Sequence, residues 1–339
     1  MTALAPIYRL PDERYAVVLN ANAGRVTERL TAAIRGVVPA DRVFLTQSPE
    51  HAREVLERCV ENDVHTIFAG GGDGTIVGVI NALEAIRRTH DFVPEVGVLR
   101  LGTGNALAHW LGSGGPVADL EGWRSGAVHR SLPVQMVEAE GTLFPFGGLG
   151  YDAAVLNDYN RLKKAARGRW WRPLTFGLAG YLLAAFTRTI PNFLMRDAPR
   201  VRITNLGRPA TRLDERGREL GPPIPTGGVL YEGPAGVVGC ATTPMYGYGM
   251  RMFPWAAARA GRFQLRVLNM SALSAAANLG PAWRGNLVHP GRHDFHVDRV
   301  RAVFDGAMPY QIGGEAQGYR REVVFGLSAN VVRLVSRAR

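Results

Sequence analysis

The chain has 339 residues, of which 46% are hydrophobic, and its 40 Lys and Arg against 29 Asp and Glu give a formal net charge of +11. The length favours two domains, and two cysteines exclude a disulfide framework or a zinc cluster. The positive charge favours an anionic partner. An arginine-heavy composition inherited from a GC-rich genome would produce the same balance. Helix-turn-helix, zinc-finger and aromatic-basic strand patterns are absent from the sequence, so nucleic acid is not expected as a partner.

The N-terminus and the apolar runs predict a cytoplasmic protein. Residues 1–10 lack the apolar core and the small-residue cleavage site of a signal peptide, so we expect no export. The longest apolar run, residues 174–186, is shorter than the roughly 20 residues that a membrane-spanning helix needs.

The first part of the chain alternates strand-like and helix-like segments. Short buried-type apolar runs alternate with segments whose apolar residues recur at helical spacing. This order predicts a doubly wound parallel sheet in an α/β domain over residues 1–130. The predicted strands are 15–20, 42–45, 64–69 and 96–101, and the predicted helices are 27–37, 50–60, 76–86 and 105–111.

Strand-like segments dominate after residue 131. They predict a mainly antiparallel, β-rich second domain with a few helices over residues 131–339, whose C-terminal strands could return to the first domain. The proline- and glycine-rich residues 207–228 predict an exposed loop. The predicted strands are 132–139, 201–204, 263–268, 295–304, 322–325 and 331–335, and the predicted helices are 152–167 and 174–189.

Three glycine-containing loops each follow a predicted strand: residues 20–24, 70–75 and 101–105. The second and third also precede a helix, where bare backbone amides and the helix dipole favour an anion. Loops after neighbouring parallel strands face one crevice, so we expect a nucleotide phosphate site. Asp73 would repel a phosphate directly and should act through magnesium. The alternative is a glycine turn in which Asp73 caps the helix.

Three motifs together resemble the diacylglycerol kinase catalytic family, which includes bacterial lipid kinases, sphingosine kinases and ceramide kinase. They are GGDGT at 71–75, LGTGN at 101–105 and GGLGYDA at 147–153. Segments 177–186, 252–265 and 312–318 extend the resemblance over nearly the whole chain. NAD kinases share GGDGT but lack LGTGN in this form.

The resemblance implies an ATP- and Mg²⁺-dependent kinase that phosphorylates a hydroxyl of diacylglycerol or a related lipid. It identifies Glu315 as the proton acceptor and Asp73 as the organiser of metal and phosphate, with Asp73 also an alternative base. Asp152 would support the charge network, or else cap the following helix. The nucleotide-binding residues, from the resemblance and the three loops, are Asn20, Gly24, Thr46, Gly70, Gly71, Gly72, Asp73, Gly74, Thr75, Gly102, Thr103, Gly104 and Asn105.

Three positions depart from the family pattern by lacking a carboxylate. Gly313 replaces the aspartate of the D-G-E motif, Ala260 replaces an aspartate that holds a structural magnesium in bacterial members, and Gly78 replaces a glutamate after GGDGT. These losses keep a second hypothesis open, a catalytically weakened sensor of nucleotide or lipid. NAD kinase-like phosphorylation of a soluble nucleotide is a third.

A membrane contact is expected at residues 167–186, where arginines flank Trp170 and Trp171 before an apolar helix. Such a segment suits the surface of an anionic membrane, which predicts a peripheral location at the inner membrane surface. The alternative is that the apolar helix packs on the second domain's sheet. An exposed sheet edge would permit a homodimer.

Overall fold

The computed structural model describes residues 7–166, 180 and 199–337. The chain forms two compact units, a first unit of Met1–Met136 with Ala329–Arg339 and a second unit of Val137–Ser328. Trp170, Trp171 and most of the predicted helix 174–189 lie outside the described residues. Within the described part, no helix is both long and apolar enough to cross a membrane.

The first unit is built around a parallel sheet. Its strands lie in the order β3, β2, β4, β5 and then the end of β16, which pairs in parallel with β5 through Leu334 and Val335. The strands are β1 (Ile7–Arg9), β2 (Tyr15–Asn20), β3 (Val43–Thr46), β4 (Thr66–Gly71) and β5 (Glu95–Arg100). The helices are α1 (Glu28–Val37), α2 (Pro49–Glu61), α3 (Asp73–Ile86), α4 (Ala106–Leu111) and α5 (Pro116–Arg124).

Local sequence accounts for these elements. All side chains of β2 except Asn20 are buried, as expected for a central parallel strand. The hydroxyls of Thr27 and Ser48 accept hydrogen bonds from first-turn amides and cap α1 and α2. The core around β2 packs Leu19, Phe68 and other apolar side chains. The predicted parallel α/β sheet is confirmed.

The second unit is mainly antiparallel, as predicted. Its central strands lie in the order β10, β14, β13, β12, β8, β15 and β16, and β9 joins β15 to β11. The strands are β6 (His129–Ala139) and β16 (Glu315–Arg337), which contribute to both units, and β7 (Thr142–Phe144), β8 (Phe146–Gly150), β9 (Arg200–Asn205), β10 (Thr211–Leu213), β11 (Val229–Pro234), β12 (Val237–Ala241), β13 (Phe263–Leu268), β14 (Arg292–Val297) and β15 (Arg299–Ile312). The helices are α6 (Tyr151–Ala165), α7 (Ala272–Ala277) and α8 (Leu279–Arg284).

Three details differ from the sequence prediction. The predicted strand 295–304 is divided between β14 and β15, with Asp298 between them. The predicted loop at 207–228 contains β10, which pairs with β14 and buries Ala210, Thr211 and Leu213, so the prediction of an exposed loop is wrong there. Cross-strand pairing overrode the local abundance of proline and glycine. The predicted segments 322–325 and 331–335 are parts of one long strand, β16.

A buried ion cluster lies between β13 and β14. Asp294, 1% exposed, accepts hydrogen bonds from Arg266, 0% exposed, through Nε at 2.7 Å and Nη2 at 3.0 Å. Arg292 Nε lies 3.0 Å from the same carboxylate, and burial lowers the pKa of Arg292 while Asp294 opposes that shift. A buried charge needs such partners, because removing one leaves the other uncompensated.

Replacing Asp294 should therefore destabilise the protein strongly. Asp294→Ala leaves two buried guanidinium groups without their carboxylate, and we expect the free energy of unfolding in urea to fall by about 3–5 kcal/mol. Glu322→Ala removes an exposed carboxylate that pairs with Arg301 at 2.7 Å. This substitution should change the free energy of unfolding little. Equal losses of unfolding free energy in the two variants would contradict the claim that the buried cluster stabilises the protein more than the exposed ion pair does.

Candidate functional site

The three glycine-containing loops follow adjacent parallel strands that end level with one another. Gly70 of β4 pairs with Leu19 of β2 on one side and with Leu99 of β5 on the other. The loops are also in contact. Asn20 Nδ2 donates to Thr75 Oγ1 at 2.9 Å, and a Cβ added to Gly102 would overlap the Cα of Gly72. The three loops therefore lie together at one edge of the parallel sheet in the first unit.

The loop after β4 brings bare backbone to the start of α3. Gly72 is the N-cap residue and has no side-chain capping bond, and the helix begins at Asp73. The first-turn amides of an α-helix have no partner within the helix, and their partial positive charge favours an anion. A Cβ at Gly71 would overlap the side chain of Thr75, so the close packing of this turn requires glycine. The alternative in which Asp73 caps the helix is wrong, because Asp73 lies inside it.

The loop after β5 is closed by its own asparagine. Asn105 has a left-handed φ of 52°, and its side chain accepts from Gly102 N at 2.8 Å and donates to Gly102 O at 2.6 Å. Asn105 is 5% exposed, whereas Thr103 is exposed at the tip of the loop. Asn105 therefore shapes the loop, and Thr103 and Gly104 at its tip stay accessible.

The loop after β2 is tied to the neighbouring strand. Thr46 is buried; its hydroxyl donates to Leu19 O at 3.3 Å and its carbonyl accepts from Ala21 N at 2.9 Å. Asn20 Oδ1 accepts from Asn22 N at 2.9 Å. Thr46 and Asn20 thus hold the loop in place, while Gly24 is exposed, with open space beside it.

Glu315 lies in the second unit, directly after a two-residue hairpin turn. Gly313 and Gly314 join β15 to β16 with φ values of 56° and 80°, and Ile312 pairs with Glu315 across the turn. Positive φ at both central residues is typical of a type I′ turn and favours glycine. The glycine that replaces the family aspartate at 313 therefore suits this turn. Glu315 is exposed.

A polar network connects this turn to Asp152. Asp152 Oδ2 accepts from Tyr246 OH at 2.6 Å and from Gln311 Nε2 at 3.3 Å. Gln311 Nε2 also donates to Tyr246 OH at 2.7 Å, and Gln311 Oε1 accepts from Gly314 N at 2.9 Å. Burial raises the pKa of Asp152, against the hydrogen bonds from Tyr246 and Gln311. Asp152 therefore supports the turn that carries Glu315.

Sequence reasoning missed Tyr246 and Gln311. Their partner Asp152 lies far from both along the chain, so no local pattern marks them; the only signal for Gln311 is its position just before the Gly313–Gly314 turn. The alternative in which Asp152 caps the helix is wrong, because α6 already begins at Tyr151.

The structure also shows the surroundings of Ala260 and Gly78, the other two positions that lack a family carboxylate. The carbonyl of Gly261, next to Ala260, accepts a hydrogen bond from Arg208 Nη2 at 2.6 Å, and Arg208 also pairs with Asp298. Gly78 is exposed on α3 with open space around it. Among the described residues, no group of three or more His, Cys, Asp or Glu could hold a metal ion. One carboxylate, Asp73, suits a magnesium ion held mainly by nucleotide phosphates.

Comparison with known proteins gives consistent results. Residues 14–137 match the diacylglycerol kinase catalytic domain. The protein called probable lipid kinase YegS-like from Citrobacter koseri is 25% identical over 270 residues, which cover 80% of this chain and 76% of that protein. The eye-specific diacylglycerol kinase of Drosophila melanogaster is 49% identical over 53 residues, or 16% of this chain, and the match spans only 4% of that protein.

Solved structures share the fold. The crystal structure of a diacylglycerol kinase from Bacillus anthracis str. Sterne has a TM-score of 0.61 at 17% identity and covers 94% of each chain. A second structure from that organism has a TM-score of 0.64 at 15% identity and covers 99% of each chain. The expected resemblance is confirmed: residues 14–137 match the diacylglycerol kinase catalytic domain, and the solved structures of bacterial diacylglycerol kinases share the fold.

Proposed function

We propose that the protein is an ATP-dependent lipid kinase that transfers the γ-phosphate to a hydroxyl of diacylglycerol or a related lipid. The observation that carries this proposal is the convergence of the loops after β2, β4 and β5, where Asn20 contacts Thr75 and Gly102 lies against Gly72. Bare amides at the start of α3 favour a phosphate chain. The names of the relatives support a lipid as the acceptor.

Each loop has a distinct role in this proposal. The amides at Gly74 and Thr75 hold phosphate oxygens of ATP, and the exposed Thr103 contacts the nucleotide from the neighbouring loop. Asp73 would hold a magnesium ion bound to the phosphates, and this ion would offset their negative charge. Asn20, Thr46 and Asn105 keep the loops in register through the hydrogen bonds described above.

The transfer itself needs an acceptor for one proton. The lipid hydroxyl oxygen attacks the γ-phosphorus, the bond to the bridging oxygen breaks, and ADP leaves. We assign the hydroxyl proton to the carboxylate of Glu315, with Asp73 as the alternative base. Gln311 is a positioning residue, because it binds the Gly314 amide and does not itself reach the reacting atoms in this scheme.

The proposal places the enzyme in the cytoplasm, at the inner surface of the membrane. The net charge of +11 favours attraction to anionic lipid headgroups. This surface is also where a lipid acceptor is available.

A sensor of the same family is the second candidate. It is favoured by the missing carboxylates at Gly313, Ala260 and Gly78 and by the guanidinium of Arg208 on the Gly261 carbonyl. Such a protein would bind nucleotide or lipid and transfer no phosphate.

Labelled ATP, magnesium and a panel of lipid vesicles distinguish these candidates. We expect labelled phosphate on a lipid, and a loss of rate of about 10²–10⁴-fold in Glu315→Gln, the size expected for a general base. Asp73→Asn should also lose transfer. Glu322→Gln, an exposed glutamate of the same strand, is the matched control and should keep full activity.

Two outcomes would overturn the lipid kinase proposal, and a third would overturn only the assignment of its base. If the protein binds nucleotide but transfers phosphate to no lipid, the sensor hypothesis replaces the kinase proposal. Phosphorylated NAD as the product would identify a soluble acceptor. Equal activity of wild type and Glu315→Gln would remove Glu315 as the base.

A second prediction concerns the contact between loops. In Gly102→Ala the new methyl group overlaps Gly72 Cα, so the two loops must separate, and we expect ATP affinity to fall at least about tenfold in calorimetry. Gly78→Ala is the control, because a Cβ there meets nothing within 4 Å and alanine suits a helix. ATP affinity of Gly102→Ala equal to that of Gly78→Ala would show that the loops do not form one phosphate site.

A third prediction concerns the network behind Glu315. Gln311→Leu removes the acceptor for Gly314 N and the donor to Tyr246. We expect kcat to fall at least about tenfold while the KM for ATP stays unchanged, because the turn loses its orientation and the phosphate loops are intact. Gln317→Leu, an exposed glutamine farther along the same strand, should leave kcat unaltered. A change in KM alone would exclude a positioning role.

A further inference from the structure

An exposed apolar surface lies on the second unit, on α7, α8 and the loop that follows them. We call it the α7–α8 surface and define it by Leu273, Trp283, Val288, Arg251 and Arg284. Leu273 is 68% exposed and Val288 is 65% exposed. Among the side chains described in α7 and α8, none is buried, although most are apolar. Within the part of the chain that the structure describes, the core of the unit therefore leaves this apolar surface uncovered.

A hydrogen bond joins the chain neighbours of the two exposed aliphatic residues, so α7 lies beside the loop that carries Val288. His289 lies 3.1 Å from Ser274 through Nε2 and accepts from Gly291 N through Nδ1, so the Nε2 hydrogen is donated to Ser274 Oγ. Leu273 and Val288 are the chain neighbours of this bonded pair. The direction of the bond also leaves Ser274 without a base, which excludes a serine nucleophile at this position.

The two arginines are neighbours as well. Arg251 N donates to Trp283 O at 2.9 Å, and a Cβ on Gly285 would lie 3.0 Å from Arg251 Cβ. Arg284 stands between Trp283 and Gly285 in the chain. Both arginines are exposed, and Trp283 is half-buried.

The segments that carry this surface pack against a buried apolar cluster of the second unit. Met270 and Leu287, which flank the two helices, are buried in a cluster with Leu268. Met252 and Ala282 pack against that cluster. The exposed side chains therefore stand on a packed base, and removing them should not disturb the fold.

The stretch of chain that carries the surface contributes positive charge only. From Gly233 to His293 the sequence contains no Asp or Glu. Its six arginines are Arg251, Arg259, Arg262, Arg266, Arg284 and Arg292. Four of them pair with carboxylates outside this stretch, on Glu219, Asp294 and Asp298. Within the described residues, Arg251 and Arg284 have no ion pair.

We propose that the α7–α8 surface docks on an anionic lipid bilayer. Leu273 and Val288 would enter the boundary between headgroups and acyl chains, and Trp283 suits that boundary because its ring is apolar with one polar group. Arg251 and Arg284 would bind lipid phosphates, which guanidinium groups contact through several donors. A protein partner with an acidic surface is the competing occupant, and binding to vesicles that contain lipid alone distinguishes the two.

This inference rests on the proposed function, since a lipid acceptor lies in a bilayer, but its test requires no phosphate transfer. The two proposals can therefore fail separately. A protein that binds vesicles through this surface and transfers nothing would be a membrane-bound sensor. A protein that transfers phosphate without using this surface would refute the docking proposal alone.

A site-specific fluorophore gives the direct measurement. The two native cysteines, Cys59 and Cys240, are buried, so Val288→Cys can be labelled selectively with an environment-sensitive dye. We expect a blue shift with vesicles of phosphatidylcholine containing about one-third phosphatidylglycerol, and a smaller shift as salt rises. Leu220→Cys, at a position 52% exposed on the same unit, is the matched label and should show no shift. Equal shifts at both positions, or none at 288, would overturn the proposal.

Cosedimentation with the same vesicles tests the side chains. Leu273→Ser with Val288→Ser should weaken binding to both neutral and anionic vesicles. Arg251→Gln with Arg284→Gln should lower binding to anionic vesicles by on the order of tenfold, from two lost charges near the surface. Arg216→Gln with Leu220→Ser, an exposed pair elsewhere on the unit, should bind like wild type. Unaltered vesicle binding of both target variants, or no vesicle binding by wild type, would refute the proposal that the α7–α8 surface docks on the bilayer.

Discussion

The close approach of backbone between the loops after β4 and β5 is the constraint on which the candidate site depends. Gly102 lies so near the Cα of Gly72 that a side chain would not fit. This approach is possible because Gly70 pairs with Leu99, so the two strands end level with each other. A parallel sheet places such ends at one edge, and the glycines let the loops close there.

Much of the polar chemistry near the site serves to hold backbone in place. Asn105 bonds to its own loop, Thr46 bonds to Leu19, and Asn20 bonds to Thr75. These side chains hold the loops together. In the proposed function, contact with a phosphate therefore falls to main-chain amides and to exposed groups such as Thr103. Preorganised amides cost little to orient when an anion binds.

The second unit shows the same principle with a different set of residues. A hydrogen-bonded path runs from Asp152 through Tyr246 and Gln311 to the amide of Gly314. The turn that it supports has two glycines with positive φ, and Glu315 follows them. The loss of an aspartate at 313 is thus compatible with an ordered turn, because the support comes from the neighbouring strand and from Asp152.

The amino-acid sequence by itself determined the parallel sheet, the three glycine-containing loops and the resemblance to the diacylglycerol kinase catalytic family. Each of these depends on local patterns: apolar period, glycine position and short motifs. It placed Asp73 in the loop before a helix predicted to begin at residue 76, and left open whether Asp73 caps that helix. The structure begins the helix at Asp73 and makes Gly72 the N-cap residue. Only the tertiary structure revealed the roles of Gln311 and Tyr246 and the exposed surface at Leu273 and Val288. Their significance depends on neighbours far away in the chain, and hydrogen bonding and burial between such neighbours leave no periodic signal in the sequence.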